Sequence, residues 1–389
     1  MAFFKLFDIK RKKTEKYINV PAILKLMCHW YFIFGGRDTG KSYGFKYFLL
    51  KQAYEPEKEE RDRKHRFMYI RAYDEDVTNN RVYNYFKDMI TNNKGEHPIE
   101  ELTGGKYKSI RVVAGKIFLI NVGPDGKDIE KPFLVGYYDS LNMKTRLKSQ
   151  SWLDIDYAIL EEFMNENRPQ QCEELVSIIS TVARSKFIQV FCIGNNEVRD
   201  NAWFRFFELK HAMQQEKGTA EVYEFENGDV DEYGKPVVIR VASCYCEDAT
   251  TKGMFYGEAA EINNGDYRAK KKPTITLEEL KKYQKIYTVY FRRYWSGWCA
   301  DLYIDEVTGG LFWHVREHKK VIPNGSRVVS DKMNVDPLYT MNLQPFNELE
   351  KLAFEQLRNG KVYYTDNLTG TEFEAAIKHF AMYNIFVDS

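Results

Sequence analysis

HWYFIFGGRDTGKSYGFKYFLL, residues 29 to 50, decides how this chain is read. It contains Gly35-x-x-x-x-Gly40-Lys41-Ser42, a phosphate-binding signature. Trp30 to Phe34 is an apolar, aromatic run that predicts a buried strand, and Tyr43 to Ala53 has the length and apolar spacing of a helix. Strand, loop and helix in that order are the setting the signature requires.

The spacing has a physical reason. Glycines let successive backbone N–H groups turn inward and cradle phosphates, at a helix N-terminus whose dipole already favours anions. Gly35, Gly36, Arg37, Asp38, Thr39 and Gly40 would form that cradle. Lys41 would reach the β- and γ-phosphates, and the Ser42 hydroxyl would reach the Mg²⁺ that bridges them. The expected ligand is therefore ATP or another nucleoside triphosphate with Mg²⁺, and not a dinucleotide.

Working outward, Ile155 to Leu160 (IDYAIL) is a second buried-strand run, ending on Glu161 and Glu162. A carboxylate at the end of such a strand holds the magnesium shell, and a following acid polarises the attacking water. Glu161 is assigned to the metal and Glu162 to the water. Many such sites have Asp at the first position, so the longer Glu161 must reach the same place. A third run, Phe187 to Ile193, ends on Gly194, Asn195 and Asn196; the Asn195 amide could sense the γ-phosphate or orient water, and Asn after a strand is just as commonly a turn residue.

At 389 residues the chain predicts two domains with a small subdomain between them. Its 57 basic and 56 acidic residues nearly cancel, so bulk charge neither supports nor excludes a nucleic-acid partner. Six scattered cysteines read as reduced thiols of a cytosolic protein. No run approaches the roughly 20 apolar residues of a membrane span, and the N-terminus breaks too soon into charge for a signal peptide. No membrane partner is expected.

Residues 1–204 are read as the ATPase domain. They begin with an amphipathic or extended arm ending in Lys10, Arg11, Lys12 and Lys13, read as a solvated tail, with docking to a partner or to DNA as the second reading. Glu55 to Arg66 reads as an exposed charged turn, Phe67 to Ala72 (FMYIRA) as a core strand, and Asp76 to Thr91 as a helix with Val82, Tyr85, Phe86 and Met89 on one face. Tyr107 to Tyr138 reads as antiparallel hairpins inserted on the parallel core, and Glu173 to Val182 as a helix. Residues 205–275, which include the acidic EVYEFENGDVDEYG, are read as a linker or lid. Residues 276–389 are a second domain, with strands at Ile286 to Tyr294, Gly297 to Ile304 and Leu311 to Val315, and helices at Phe346 to Arg358 and Thr371 to Phe380.

Two basic residues, Lys148 and Arg184, precede core strands instead of following them. Ligands of a parallel sheet sit at the carboxyl ends of its strands. At about 3.3 Å per residue, a six- or seven-residue strand sets these side chains roughly 20 Å from their own phosphates. If they act on ATP, they act on a neighbouring subunit's.

FGGRDTGKSY, FMYIRAY, YAILEEF, TVARSKFIQVFCIGN and GWCADLYIDEVTGGLFW, in this order, resemble the DNA-packaging ATPases of phi29-like tailed bacteriophages, relatives of large terminase subunits. The resemblance implies an α/β fold: an ASCE-type P-loop ATPase domain with a mostly parallel sheet, a small lid or linker, and an RNase H-like C-terminal domain with a vestigial nuclease. It implies a homo-oligomeric ring, a pentamer, that docks on the portal of an empty capsid and drives double-stranded DNA inward. Such a ring would work in the host cytoplasm, transiently at the portal vertex, and be absent from the mature virion; in some relatives a structural RNA scaffolds it. By position Arg184 matches the family's trans-acting arginine finger, Lys148 a second trans-acting basic residue, and Arg37 the arginine of the phosphate loop.

Other classes share the phosphate loop. A nucleotide or small-molecule kinase needs no finger from a neighbour and no second domain of this size, and a nucleotide-gated scaffold would hydrolyse little. In the C-terminal domain Asp301, Asp305, Glu306, Asp331 and Asp336 could supply a two-metal nuclease. However, Asp305 and Glu306 fall in a hairpin turn, and strand alternation sends Asp301 and Leu302 to opposite faces. Nuclease activity is therefore expected to be absent, and Arg292, Arg293, Lys319 and Lys320 are the candidates for a DNA or RNA docking surface.

Overall fold

Trp30–Gly35 forms strand β2, which is buried at every position. A strand covered on both faces belongs in the middle of a parallel sheet. It lies there in the computed structural model, which describes residues 3–11, 17–54, 65–143, 154–164, 169–183, 186–196, 201–230, 233–248, 271–294 and 296–381. The chain divides into two units, Met1–Asp266 and Tyr267–Ser389.

In the first unit β1 (Phe3–Asp8), β3 (Arg66–Arg71), β4 (Ser109–Val113), β5 (Lys116–Ile120), β6 (Phe133–Ser140), β7 (Ile155–Glu161), β8 (Gln189–Asn195), β9 (Thr219–Val230) and β10 (Pro236–Tyr245) join β2. The order is β1-β9-β10-β2-β8-β7-β3-β6-β5-β4. Every neighbouring pair from β10 to β6 is parallel, and both flanks are antiparallel. β8 therefore separates the strand that feeds the loop from the strand that ends on Glu161.

Helix α1 (Lys41–Tyr54) starts directly after Gly40 and buries Phe45, Leu49, Leu50 and Ala53 along one face. Helix α2 (Asn79–Ile90) starts where Thr78, in extended backbone, accepts the Arg81 N–H with its side chain; it buries Val82, Phe86 and Met89. Helix α3 (Pro169–Ala183) opens on a proline, whose missing N–H costs nothing at that position.

Several expectations change. The helix expected from Asp76 begins at Asn79, because Asp74–Val77 is a separate 3-10 turn ahead of the Thr78 cap. The antiparallel run expected over Tyr107 to Tyr138 is β4-β5-β6, and its last strand also pairs parallel with β3, so β6 joins the run to the parallel core. Thr219–Val230 and Pro236–Tyr245, read as part of a linker or lid, are β9 and β10 of the main sheet. The acidic stretch misled because only Ala220 to Tyr223 of β9 is buried, while its far half projects into solvent with its charges. Phe3–Asp8 is an edge strand paired with β9 and not a solvated tail, and Arg11 pairs with Glu247. Lys12, Lys13 and residues 55–64 lie outside the described residues.

In the second unit β11 (Gln284–Arg293), β12 (Ser296–Ile304) and β13 (Leu311–Glu317) form an antiparallel meander. β14 (Arg327–Ser330) runs parallel to β11, β15 (Tyr339–Thr340) to β14, and β16 (Val362–Tyr364) to β13. Val289, Phe291, Trp298, Ala300, Leu302, Trp313 and Val315 face helices α4 (Glu348–Arg358) and α5 (Asn367–Ala381) through Phe354 and Phe373. Asn347 caps α4 by accepting the Glu350 N–H at 2.9 Å, with acids in its first turn and Arg358 in its last.

Candidate nucleotide site at the carboxyl edge of the first sheet

The loop after β2 is wound tightly around its own lysine. Lys41 Nζ donates to the carbonyls of Gly35 (3.2 Å) and Gly36 (2.5 Å), to Thr39 Oγ1 (3.1 Å) and to Asn195 Oδ1 at the end of β8 (3.4 Å). Its side chain is buried, and that burial pushes the ammonium pKa down against the pull of Cys246, Glu161 and Asp38. Gly40, at φ 81°, has room for no side chain, since a Cβ would stand 2.4 Å from the Tyr17 ring. Tyr17 and Ile18 strap the loop from outside: the Ile18 N–H donates to the Thr39 carbonyl at 3.0 Å, and Tyr17 meets the Tyr43 ring at 5.6 Å. Arg37 and Asp38 are exposed at the loop tip.

Ser42, the second residue of α1, donates its hydroxyl to Glu161 Oε2 at 3.1 Å. The other Glu161 oxygen accepts from Tyr85 of α2. Burial pushes the Glu161 carboxyl pKa up, while the Tyr85 and Ser42 hydroxyls and the charges of Lys46 and Arg71 pull the other way. Glu162 follows with φ 60°, a left-handed conformation uncommon outside glycine and frequent at functional sites. Its half-exposed carboxylate accepts from Arg71 at 2.6 Å, and Arg71 also lies 3.6 Å from Asp76.

The structure thus brings together the loop from Gly35 to Ser42 with Glu161 and Asn195, and sets Glu162 at the next position in the chain. Lys148 and Arg184 lie outside the described residues. Sequence reasoning missed Arg71, Tyr85, Lys46 and Tyr17. Arg71 ends a core strand at the same edge as Glu161, the signal already used for the carboxylates. Tyr85 was read as one more residue of an apolar face, although a buried phenol needs a partner for its hydroxyl.

A Ser hydroxyl beside a carboxylate is a hard-oxygen pair that fits Mg²⁺, which takes one or two protein oxygens and fills its shell with phosphates and water. Among the described residues no group of three or more His, Cys, Asp or Glu side chains converges as a metal site. Nor is any helix among them long and apolar enough to cross a membrane. All six cysteines are free and buried.

In the second unit four of the five candidate carboxylates have other partners, and the fifth, Glu306, is exposed in its turn. Asp301 is held by Thr288 at 2.6 Å, Arg316 at 3.3 Å and Lys285 at 3.5 Å. Asp305 accepts the Val307 N–H and the Thr308 hydroxyl within its turn, Asp331 the Tyr294 N–H, and Asp336 the Leu338 N–H. Of the basic candidates for a docking surface, Arg292, Lys319 and Lys320 are exposed and Arg293 is buried.

These features define a strand–loop–helix unit with a lysine, a hydroxyl and a carboxylate pair at the carboxyl edge of a parallel-rich α/β sheet. No protein-family model and no curated protein matches the chain. Among solved structures it is similar to a chain of the bacteriophage phi29 viral genome packaging motor assembly, with 17% identity, 94% of this chain and 100% of that chain covered, and a TM-score of 0.50. Looser likenesses are the N-terminal domain of the DNA packaging ATPase from bacteriophage phi29 (20% identity, 50% and 87% covered, TM-score 0.38) and the Phi-28 DNA packaging motor (14%, 93% and 97%, 0.42). The first of these likenesses establishes the fold, and it extends over both units.

Proposed function

We propose that this chain is a Mg²⁺-dependent ATPase that drives double-stranded DNA through the portal of a preformed capsid as a ring of identical subunits. The observation that carries the reading is the 3.1 Å contact between Ser42 and Glu161, made across the intervening strand β8. A strand inserted between the loop strand and the carboxylate strand supports the ASCE class. A fold shared along 94% of the chain with a member of a packaging motor assembly supports the motor over a kinase.

Catalysis here is positioning and charge neutralisation. Lys41 exchanges the Gly35 and Gly36 carbonyls for β- and γ-phosphate oxygens. Ser42 and Glu161 would hold Mg²⁺, which would supply charge neutralisation at the phosphates. Glu162 turns from Arg71 to polarise the attacking water, and Asn195, already touching Lys41, reports on the γ-phosphate. Arg184 and Lys148 come from the adjacent subunit, which requires head-to-tail packing and, in a closed assembly, a ring. An arginine finger contributes about 10³ to 10⁵ in rate, enough for subunit contact to gate hydrolysis.

The strand order β15-β14-β11-β12-β13, with β14 parallel to the first strand of a meander, supports an RNase H-like second unit. The cations around Asp301 support a unit without nuclease chemistry, left as a docking surface. The test of function is ATP turnover with and without duplex DNA. Turnover is expected to rise with DNA at low salt, and the stimulation to fade as salt weakens the phosphate contacts. Turnover indifferent to DNA overturns the motor reading.

A further inference from the structure

The reading of Glu161 as the magnesium ligand leaves a mechanical question, on which the following rests. A glutamate has one more rotatable bond than the aspartate common at such positions, so something must aim it. Ser42 and Lys46 lie four residues apart on one face of α1. Ser42 takes one Glu161 oxygen at 3.1 Å. Lys46, almost fully buried, donates to the Tyr85 carbonyl at 2.7 Å and to both Asp88 carboxylate oxygens at 2.6 Å. Its ammonium also stands 4.5 Å from the centre of the Tyr85 ring.

The same ring stacks on Tyr69 of β3, with centroids 4.6 Å apart and planes at 29°, and meets the Phe86 ring edge-on at 4.9 Å. β3 is the neighbour of β7. With its ring pinned by Tyr69, Phe86 and Lys46, the Tyr85 hydroxyl is delivered to the Glu161 oxygen that Ser42 does not take.

We propose that Tyr85 is a positioning residue for the magnesium-ligating carboxylate: it clamps one oxygen of Glu161 so that the other stays beside Ser42. Lys46 and Asp88 lock α2 in register with α1, so the clamp is built into the packing of the two helices. Hydrogen-bond partners of metal ligands are commonly worth about 10- to 100-fold in metal affinity.

Tyr85→Phe keeps the ring and its stacking and removes only the hydroxyl. Binding of a fluorescent ATP analogue is measured while Mg²⁺ is titrated, and again in excess EDTA, with thermal melting as a check on the fold. The half-saturating Mg²⁺ concentration should rise about 10-fold or more, while affinity in EDTA matches the wild type. An unchanged Mg²⁺ requirement overturns the inference, as does an equal loss of affinity with and without the metal, which would mark a general structural role. A wild-type protein whose nucleotide affinity ignores Mg²⁺ overturns the assignment of Glu161 itself.

Discussion

Lys41→Ala should reduce ATP turnover by about 10² to 10³ or more, the cost of losing a charged group aimed at developing phosphate charge. Lys41 is only 5% exposed and is held by four acceptors at the mouth of β2, none of them a carboxylate. An ammonium kept in such a site against its burial cost is poised for an anion that none of its four acceptors supplies. Alanine leaves the Gly35 and Gly36 carbonyls and the cradle of N–H groups but gives the β- and γ-phosphates no cation. Charge-assisted bonds contribute about 1.5 to 3 kcal/mol each, so nucleotide affinity should also fall by roughly 10²-fold. Steady-state turnover and equilibrium binding of a fluorescent ATP analogue read both effects. Wild-type values in either would remove the loop from the active site.

Glu162→Gln should give the opposite split, with nucleotide binding near wild type and hydrolysis lower by about 10² to 10⁴. Glutamine keeps the shape of the side chain and can still accept from Arg71. It cannot take a proton or carry the charge that polarises water. Because the Glu162 carboxylate is half-exposed, loss of its ion pair should cost the fold little. Single-turnover hydrolysis of bound ATP separates chemistry from binding. A Glu162→Gln protein that hydrolyses at the wild-type rate would take the water-activating role away from this residue.

The parts of the molecule legible in the sequence were those whose physics is local. β2 reads as a buried strand because every residue in it is covered, and Gly40 because no side chain fits beneath Tyr17. Glu161 reads as a candidate because it ends an apolar strand at the edge where the loop also ends, and the Ser42 hydroxyl of that loop reaches it. What stayed hidden depends on partners distant in sequence. The acidic outer half of β9 resembles a linker until β10 is seen hydrogen-bonded to β2, about 210 residues away along the chain. Tyr85 looks like core in its helix, and its hydroxyl acquires meaning only beside Glu161. Arg293 counts as a surface charge in a list of basic residues but is buried where it stands in β11.

Hydrolysis alone would not distinguish a motor from a switch, so motion along DNA is the decisive quantity. A duplex carrying a short, labelled third strand in its major groove reports it, because a translocating ring strips the third strand as it passes. With Mg²⁺ and ATP the wild-type assembly should release the strand, and neither Lys41→Ala nor wild type with a non-hydrolysable analogue should do so. Sustained, DNA-stimulated ATP turnover with the third strand still in place would contradict the account.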